Sequence, residues 1–380
     1  MKKTLLTLAL ASLVGSAFAN TTVYQSDVAR LYVDGYTRFV YAYEKNKDGL
    51  TSKTTNQYVK ARYRLAFGGD FRVADSTAYG FRVRLQNNFL QDGTSKVYTY
   101  ATDATAKSHL SEGTQYFAFD RAYVYLANDQ FGRLQLGRQT TVVDGAADSD
   151  LEYLDFLTAL RANTRTTGNQ TVYYTSPVFN NFVFEYSYSQ TKHNRKLYSS
   201  IADGNRVVQN AFAGTYAFST GTAVKATAVF ENLRNTEANV TKKKGFEVAV
   251  VQKLLNDDLT VAAAYDYVRT QNKDGVVSQV TNSTDKHHSV VVKASYRLNQ
   301  YFQPYAGATY QKLDLESANA EHKVAGFYLG AQSDVYQLDT FKVRVFGETL
   351  FLRDRVKNES TDKKRTIKDT AFAAGVKVSF

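Results

Sequence analysis

Residues 58–91 read YVKARYRLAFGGDFRVADSTAYGFRVRLQNNFLQ. Val59, Ala61, Tyr63, Leu65 and Phe67 alternate with Lys60, Arg62 and Arg64. Beyond a turn near residues 74–76, Tyr79, Phe81, Val83, Leu85 and Phe89 alternate with Arg82, Arg84, Gln86 and Asn88. Successive side chains of a strand point to opposite faces, so a period of two predicts a hairpin with one apolar and one strongly basic face. The same dyad recurs at 182–190 (FVFEYSYSQ), 224–231 (VKATAVFE), 290–298 (VVVKASYRL) and 341–348 (FKVRVFGE). Strands are expected at 31–43, 58–73, 77–90, 116–128, 132–139, 169–177, 182–190, 207–218, 222–233, 245–255, 259–272, 287–298, 301–315, 323–336, 341–354 and 366–380, sixteen in all.

Composition agrees with an all-β chain. Of 380 residues, 28 are Tyr and 24 Phe, while only two are Pro and none is Trp or Cys. A disulfide scaffold and a thiol-ligated metal site are therefore excluded. Mean hydropathy is −0.39, and beyond the first residues no window is apolar enough for a transmembrane helix. A membrane β-barrel escapes that criterion, because only every second residue faces lipid. Short turns such as ADS (74–76), STG (219–221), NDD (256–258) and QLDT (337–340) alternate with longer polar connections at 44–57, 91–115, 191–206 and 356–365. One trim end and one elaborate end are what periplasmic turns and external loops produce.

A soluble barrel also alternates, but its interior is filled by side chains, which works near eight strands and leaves an aqueous space near sixteen. The apolar face must then point outward. Burying Lys or Arg at the bilayer midplane costs roughly 2–4 kcal/mol each, so Lys60, Arg62, Arg64, Arg82 and Arg84 belong in a water-filled lumen.

Both chain ends fit export to an outer membrane. Residues 1–19, MKKTLLTLALASLVGSAFA, have Lys2 and Lys3, a short apolar run and the small pair Ala17 and Ala19, so they read as a signal peptide cut after Ala19. The mature chain, 20–380, is one barrel domain, and losing two lysines and no acid lowers the formal charge from +11 to +9. The chain ends AFAAGVKVSF, alternating up to Phe380. An open sheet edge in hydrocarbon leaves costly unpaired N–H and C=O groups, so the last strand is expected to pair with LYVDGYTRFVYAY (31–43) and close the ring. Phe380 then becomes the last lipid-facing residue, and a terminal aromatic also resembles a barrel targeting signal.

One connection differs from the rest. About thirty residues separate LQLGRQ from NQTVYYTSP, long enough to expect a functional role, and SDLEYLDFLTALRAN (149–163) within them has helical periodicity. Leu151, Leu154, Leu157 or Thr158, and Leu160 share a stripe, and Ser149 and Glu152 have capping-box spacing. The segment carries Asp144, Asp148, Asp150, Glu152 and Asp155, with Arg161 and Arg165 further on. Acids in a helix's first turn also stabilise its dipole, so Asp150 and Glu152 could serve the helix as well as a pore. Lumen arginines could likewise be solvated wall residues, although a run of them on adjacent strands exceeds what solubility requires.

These features resemble the Gram-negative trimeric general porins. The resemblance covers essentially the whole chain: the leader, VYQSDVARLYVDGYTRF (23–39), GRLQLGRQTTVVD (132–144), TVYYTSPVFNNFVFEYSYS (171–189) and the terminal Phe. Asn181 stands where family members commonly have Gly, a departure Asn tolerates because it can adopt a left-handed conformation. The PEFGG motif of enterobacterial third loops is absent, so its acids cannot be carried over by position. The resemblance implies a sixteen-stranded homotrimer in the outer membrane whose third loop folds into the lumen. Small hydrophilic solutes and ions would then diffuse passively past it. A constriction would set Asp144, Asp148, Asp150, Glu152 and Asp155 against Arg38, Lys60, Arg62, Arg64, Arg82 and Arg84, producing a transverse field.

No cofactor, metal or nucleic acid is called for. Lysine runs at 241–244 and 362–365 are expected as solvated loop tips, with lipopolysaccharide a second possibility. Strict alternation places Arg138 on the lipid side, unless a bulge near Gly137 turns it inward. The inward basics on these assignments are Arg38, Lys60, Arg62, Arg64, Arg82, Arg84, Arg121, Lys225, Lys253, Lys293, Arg297, Lys342, Arg344 and Lys377, against Asp34, Glu185, Glu231, Glu247, Asp266 and Glu348. With the loop acids returned to the narrows, a weak anion preference is expected. The rival readings are an outer-membrane hydrolase, a barrel-anchored adhesin and a substrate-specific channel. His109, His193 and His322 fall in expected loops or their margins, and His287 and His288 point to opposite faces, which gives no triad or metal spacing. Tyr123 and Tyr125 are too few for a sugar-guiding aromatic track.

Overall fold

A computed structural model describes residues 21–48, 53–91, 118–145, 158–192, 206–234, 240–276, 279–299 and 301–380. The leader and the acids Asp148, Asp150, Glu152 and Asp155 lie outside them. The strands are β1 (Thr21–Gln25), β2 (Ala29–Asp48), β3 (Lys53–Ala74), β4 (Thr77–Gln91), β5 (Ala118–Asn128), β6 (Gly132–Thr140), β7 (Thr167–Thr175), β8 (Phe182–Lys192) and β9 (Arg206–Ala217). They continue with β10 (Thr222–Arg234), β11 (Val240–Leu254), β12 (Leu259–Val276), β13 (Gln279–Tyr296), β14 (Phe302–Leu315), β15 (Ala320–Leu338), β16 (Phe341–Asn358) and β17 (Lys364–Ser379).

From β2 onward each strand pairs antiparallel with the next, and β17 returns to β2 with Phe372 opposite Tyr43 and Lys377 opposite Arg38. The sixteen expected strands thus form a closed barrel. The N–H and C=O of Phe380 bond the C=O and N–H of Gly35 at 3.1 and 3.0 Å, and β1, which was not expected, then pairs with Arg30–Val33 to continue that edge. Asn181 does adopt a left-handed backbone, with φ 69°.

The barrel is inverted relative to a soluble protein. Phe39, Tyr41, Phe67, Leu134, Leu136, Phe327 and Phe351 are exposed on the outer face, whereas Asp34, Arg38, Glu185, Lys225, Glu247, Asp266 and Glu348 are buried inside. Strands run past the expected ends on the loop side: β2 and β3 pair as far as Lys47 and Lys53, and β12 and β13 as far as Val276 and Gln279. Outside the hydrocarbon nothing selects apolar residues on alternate positions, so the ladder continues where the dyad stops. For that reason TKKK (241–244) is not a loop tip but part of β11.

Two inward features were not anticipated. Val40, Leu313, Val324, Tyr328, Leu350, Leu352, Ala371 and Ala373 form an apolar cluster on the inner face of β2 and β14–β17. Several tyrosines also lie flat across a glycine of a neighbouring strand: Tyr32 over Gly68, Tyr125 over Gly80, Tyr328 over Gly307 and Tyr305 over Gly330. In each case a Cβ on the glycine would overlap the ring, so glycine is what lets an inward tyrosine fold down against the wall.

Candidate pore constriction

The connection between β6 and β7 turns into the barrel. After β6, residues Val142–Gly145 make one 3-10 turn, and Ala159–Asn163 form a short helix, α1. Leu160, the described leucine of the expected stripe, is fully buried with Val142 and Val143 against Ala211, Ala213, Val229 and Val268 of the wall. Gly245 on β11 leaves the space into which Leu160 projects.

Polar contacts fix the same piece of chain. The Val142 N–H donates to Ser187 Oγ at 3.0 Å. The Ala159 N–H donates to Ser289 Oγ at 3.2 Å, and that hydroxyl donates to Asp266 Oδ1 at 2.7 Å. The Asn163 amide donates to the Ala159 carbonyl and to His287 Nδ1 at 2.7 and 2.8 Å, which leaves His287 Nε2–H to donate to Gln311 Oε1 at 3.1 Å. The imidazole is therefore neutral, with its tautomer set by its two partners. Lys243 Nζ donates to the Asn163 carbonyl at 2.6 Å. At the loop's exit the Arg165 N–H donates to Glu231 Oε2 at 2.9 Å, and its carbonyl accepts from Gln209 and Thr141. Burial lowers the Arg165 guanidinium below its usual range, opposed by the Glu231 carboxylate.

This framework presents Asp144 to the lumen. Its two oxygens each lie 3.5 Å from a guanidinium, one from Arg121 on the wall and one from Arg161 on α1. Asp144 thus meets Arg121 on the wall and Arg161 on the loop itself, neither of which is among the six wall residues expected to face the loop acids. Those six share the inner face of β2–β4 in rungs set by the register. Lys377, Arg38 and Arg62 form one rung, Tyr36, Arg64 and Gln86 the next, and Asp34, Ala66, Arg84 and Arg121 the one after; Lys60 stands opposite Val40. Like charges directly opposed across strands are destabilising, so the Lys377–Arg38–Arg62 rung costs stability that the fold supplies elsewhere. Arg64 and Lys377 also lie over the Tyr36 ring, at 5.2 and 4.9 Å from its centroid.

Acids neutralise part of this wall. Arg82 reaches across Gly68 and Ala66 to Asp34, with bonds of 2.8 and 2.7 Å. Arg84 Nε donates to Asp120 Oδ2 at 2.6 Å. Asp120 was not anticipated: strict alternation sends it to lipid, but a bulge opposite Arg84 and Leu85 turns it inward beside Arg121. The signal was legible, since the apolar positions of the sequence shift from odd (Phe117, Phe119) to even (Ala122, Val124, Leu126) across Asp120–Arg121. Arg138 keeps the outward parity of Leu134 and Leu136, because the extra residue near Gly137 sits on β7 and not on β6. It bonds the Asp120 carbonyl and the Asn169 side chain.

A closed barrel that is apolar outside, charged inside and narrowed by an infolded loop defines a transmembrane channel of the outer-membrane type. The chain belongs to the Gram-negative porin family, whose model matches residues 6–377. It is 24% identical over 382 residues to a major outer membrane protein of Pasteurella multocida, with 100% of each chain covered. Among solved structures, outer-membrane expressed OmpT of Vibrio cholerae has the same fold at TM-score 0.63 and 14% identity, covering 94% of this chain and 99% of that one. The anion-selective porin from Comamonas acidovorans matches at TM-score 0.59 and 11% identity, covering 93% and 100%. The protein is a multi-pass outer-membrane channel for passive diffusion of small hydrophilic solutes and ions.

Proposed function

We propose that ion and solute selection occurs where Asp144 stands between Arg121 and Arg161, the observation that carries this reading. Arg38, Lys60, Arg62, Arg64, Arg82 and Arg84 act as the basic bank, and Asp148, Asp150, Glu152 and Asp155 add acid on the loop side. The described narrows hold more guanidinium than carboxylate, because Arg64 bonds the neutral Gln86 and Arg121 and Arg161 share one acid. This supports a weak anion preference, in the direction named for the Comamonas protein. The working unit is a homotrimer, as a trimer form of the structurally similar OmpT suggests. The signal peptide is removed after Ala19, and Phe380 presents the last strand for assembly. We read the chain as a channel rather than an enzyme, a reading supported by its membership of the porin family. Purified protein in a planar bilayer should give ohmic steps without ligand and a reversal potential of anionic sign in a salt gradient. Absence of steps would leave a barrel-anchored adhesin as the better reading.

The lipid contact follows from charge on the outer face. Lys244, Arg269 and Lys286 stand opposite one another on β11, β12 and β13, next to a rung of Phe246, Tyr267 and His288. Cations just outside an aromatic girdle suit the phosphates of lipopolysaccharide. Replacing Arg269 and Lys286 with Gln should lower the lipopolysaccharide retained through purification, and unchanged retention would remove this surface as its site.

A further inference from the structure

We infer that the inner wall of β5–β7, on the periplasmic side of Asp144, holds a retention site for a small hydroxylated carboxylate, the sugar-acid class. The inference rests on the channel reading and adds a solute to it. A cavity of about 430 Å³ opens there, lined by Arg121, Tyr123, Arg133, Gln135, Gln139 and Tyr173, with the acid Asp129 at the β5–β6 turn, within the size range that holds small molecules. The register arranges these groups in order. Arg121 stands at the constriction with Gln139 level with it, Tyr123 follows opposite Gly137, Gln135 lies on one rung with Tyr125 and Tyr173, and Arg133 closes the periplasmic end. Inward side chains two residues apart stand about 6.7 Å from each other along a strand, so a polyol of several carbons spans adjacent rungs.

Tyr173 and Gln139 are engaged by Glu185 and the Thr171 carbonyl, but the other polar groups of this cavity are under-used by the protein. Arg82 and Arg84 each meet a carboxylate of the chain, but Arg133 only lies over the Tyr125 ring, 3.8 Å from its centroid. Its Nε and that of Arg121 are buried without a hydrogen-bond partner among the described residues. The side chains of Gln135 and Tyr123 likewise make no hydrogen bond to a described residue. Under-compensated guanidinium attracts a carboxylate, with which it can form paired hydrogen bonds. Amide and phenol groups beside it match hydroxyls, and the tyrosine faces suit the C–H surface of the same molecule. A simple carboxylate uses only the arginine, and a neutral sugar leaves the charge unmet, so the combination selects a solute carrying both.

Gluconate, glucose and propanoate, added to the periplasmic side of the reconstituted channel in potassium chloride, separate these cases. Gluconate should reduce the open current along a saturating curve, while matched glucose and propanoate change it only as bulk conductivity does. Arg133→Gln should raise the half-blocking gluconate concentration about tenfold, and Gln135→Ala should raise it less, with open current in chloride unchanged. The inference is overturned if gluconate acts linearly like propanoate, or if Arg133→Gln blocks at the wild-type concentration. Absence of ohmic steps before any solute is added would instead overturn the channel reading, and this one with it.

Discussion

At the scale of single residues, the lumen is governed by what lets a side chain lie flat and what meets its charge. Gly68 and Ala66 allow Arg82 to cross β3 and reach Asp34, and Gly68 also lets Tyr32 fold against the wall. Asp120 does for Arg84 what Asp34 does for Arg82, through a bulge instead of a gap. Arg84 is only 4% exposed, and removing one partner of a buried pair leaves an uncompensated charge. Asp120→Asn should therefore move the reversal potential towards anions and lower the temperature at which folded barrel is lost in detergent. The double variant Asp120→Asn with Arg84→Gln should recover most of that temperature, and a failure to recover would mean that the two residues act independently. The pairing was hidden from strict alternation, yet the change of apolar parity around it was written in the residues. Reading parity strand by strand, rather than counting inward charges, would have found it.

At the scale of elements, local periodicity and long-range support were unequally legible. The dyads located all sixteen strands because lipid imposes a period of two over the hydrocarbon span. Strand ends on the loop side were missed because water imposes none. Of the helical pattern expected over 149–163 the described residues show only Ala159–Asn163, with Thr158 extended before it, and its anchors come from β8–β14, distant in sequence and individually unremarkable. Lys243 is the clearest case: within TKKK it looks like a solvated tip, and the antiparallel register alone brings it to the Asn163 carbonyl. Its ammonium also lies 3.9 Å from Glu231, which holds the Arg165 N–H. One side chain thus ties the end of α1 to the loop's exit. Lys243→Met should loosen the loop and leave the barrel intact. We expect more frequent partial closures and a noisier open current, with barrel melting unchanged. Quiet wild-type traces from this variant would show that the apolar cluster around Leu160 holds the loop unaided.

At the scale of the whole molecule, closure and field both depend on where the last strand meets the first. Main-chain hydrogen bonds between Phe380 and Gly35 complete the seam, and the exposed Phe380 ring lies against Gly35, so a carboxylate there in Phe380→Asp should reduce the amount of folded barrel in the outer membrane while the molecules that assemble conduct normally; wild-type surface levels would refute that role. The seam also sets Lys377 beside Arg38 and so makes the basic rung continuous from β17 to β3. Selectivity follows from the sum of such charges weighted by distance. At about 0.15 M salt the Debye length is about 8 Å, so mouth charges such as Lys342, Arg344 and Asp334 are screened from the narrows, whereas Arg62, Arg64, Arg82 and Arg84 are not. Asp34 and Asp120 cancel much of Arg82 and Arg84, whereas Arg64 bonds the neutral Gln86 and so carries more of the field. Replacing all four with Gln should move the reversal potential towards cations with the fold preserved. Replacing only Arg62 and Arg64 should produce more than half of that shift. If the Arg82 and Arg84 pair produced the larger share, their carboxylate partners would not be neutralising them at the narrows. If neither pair moved the potential, the passage would follow the opposite wall past α1.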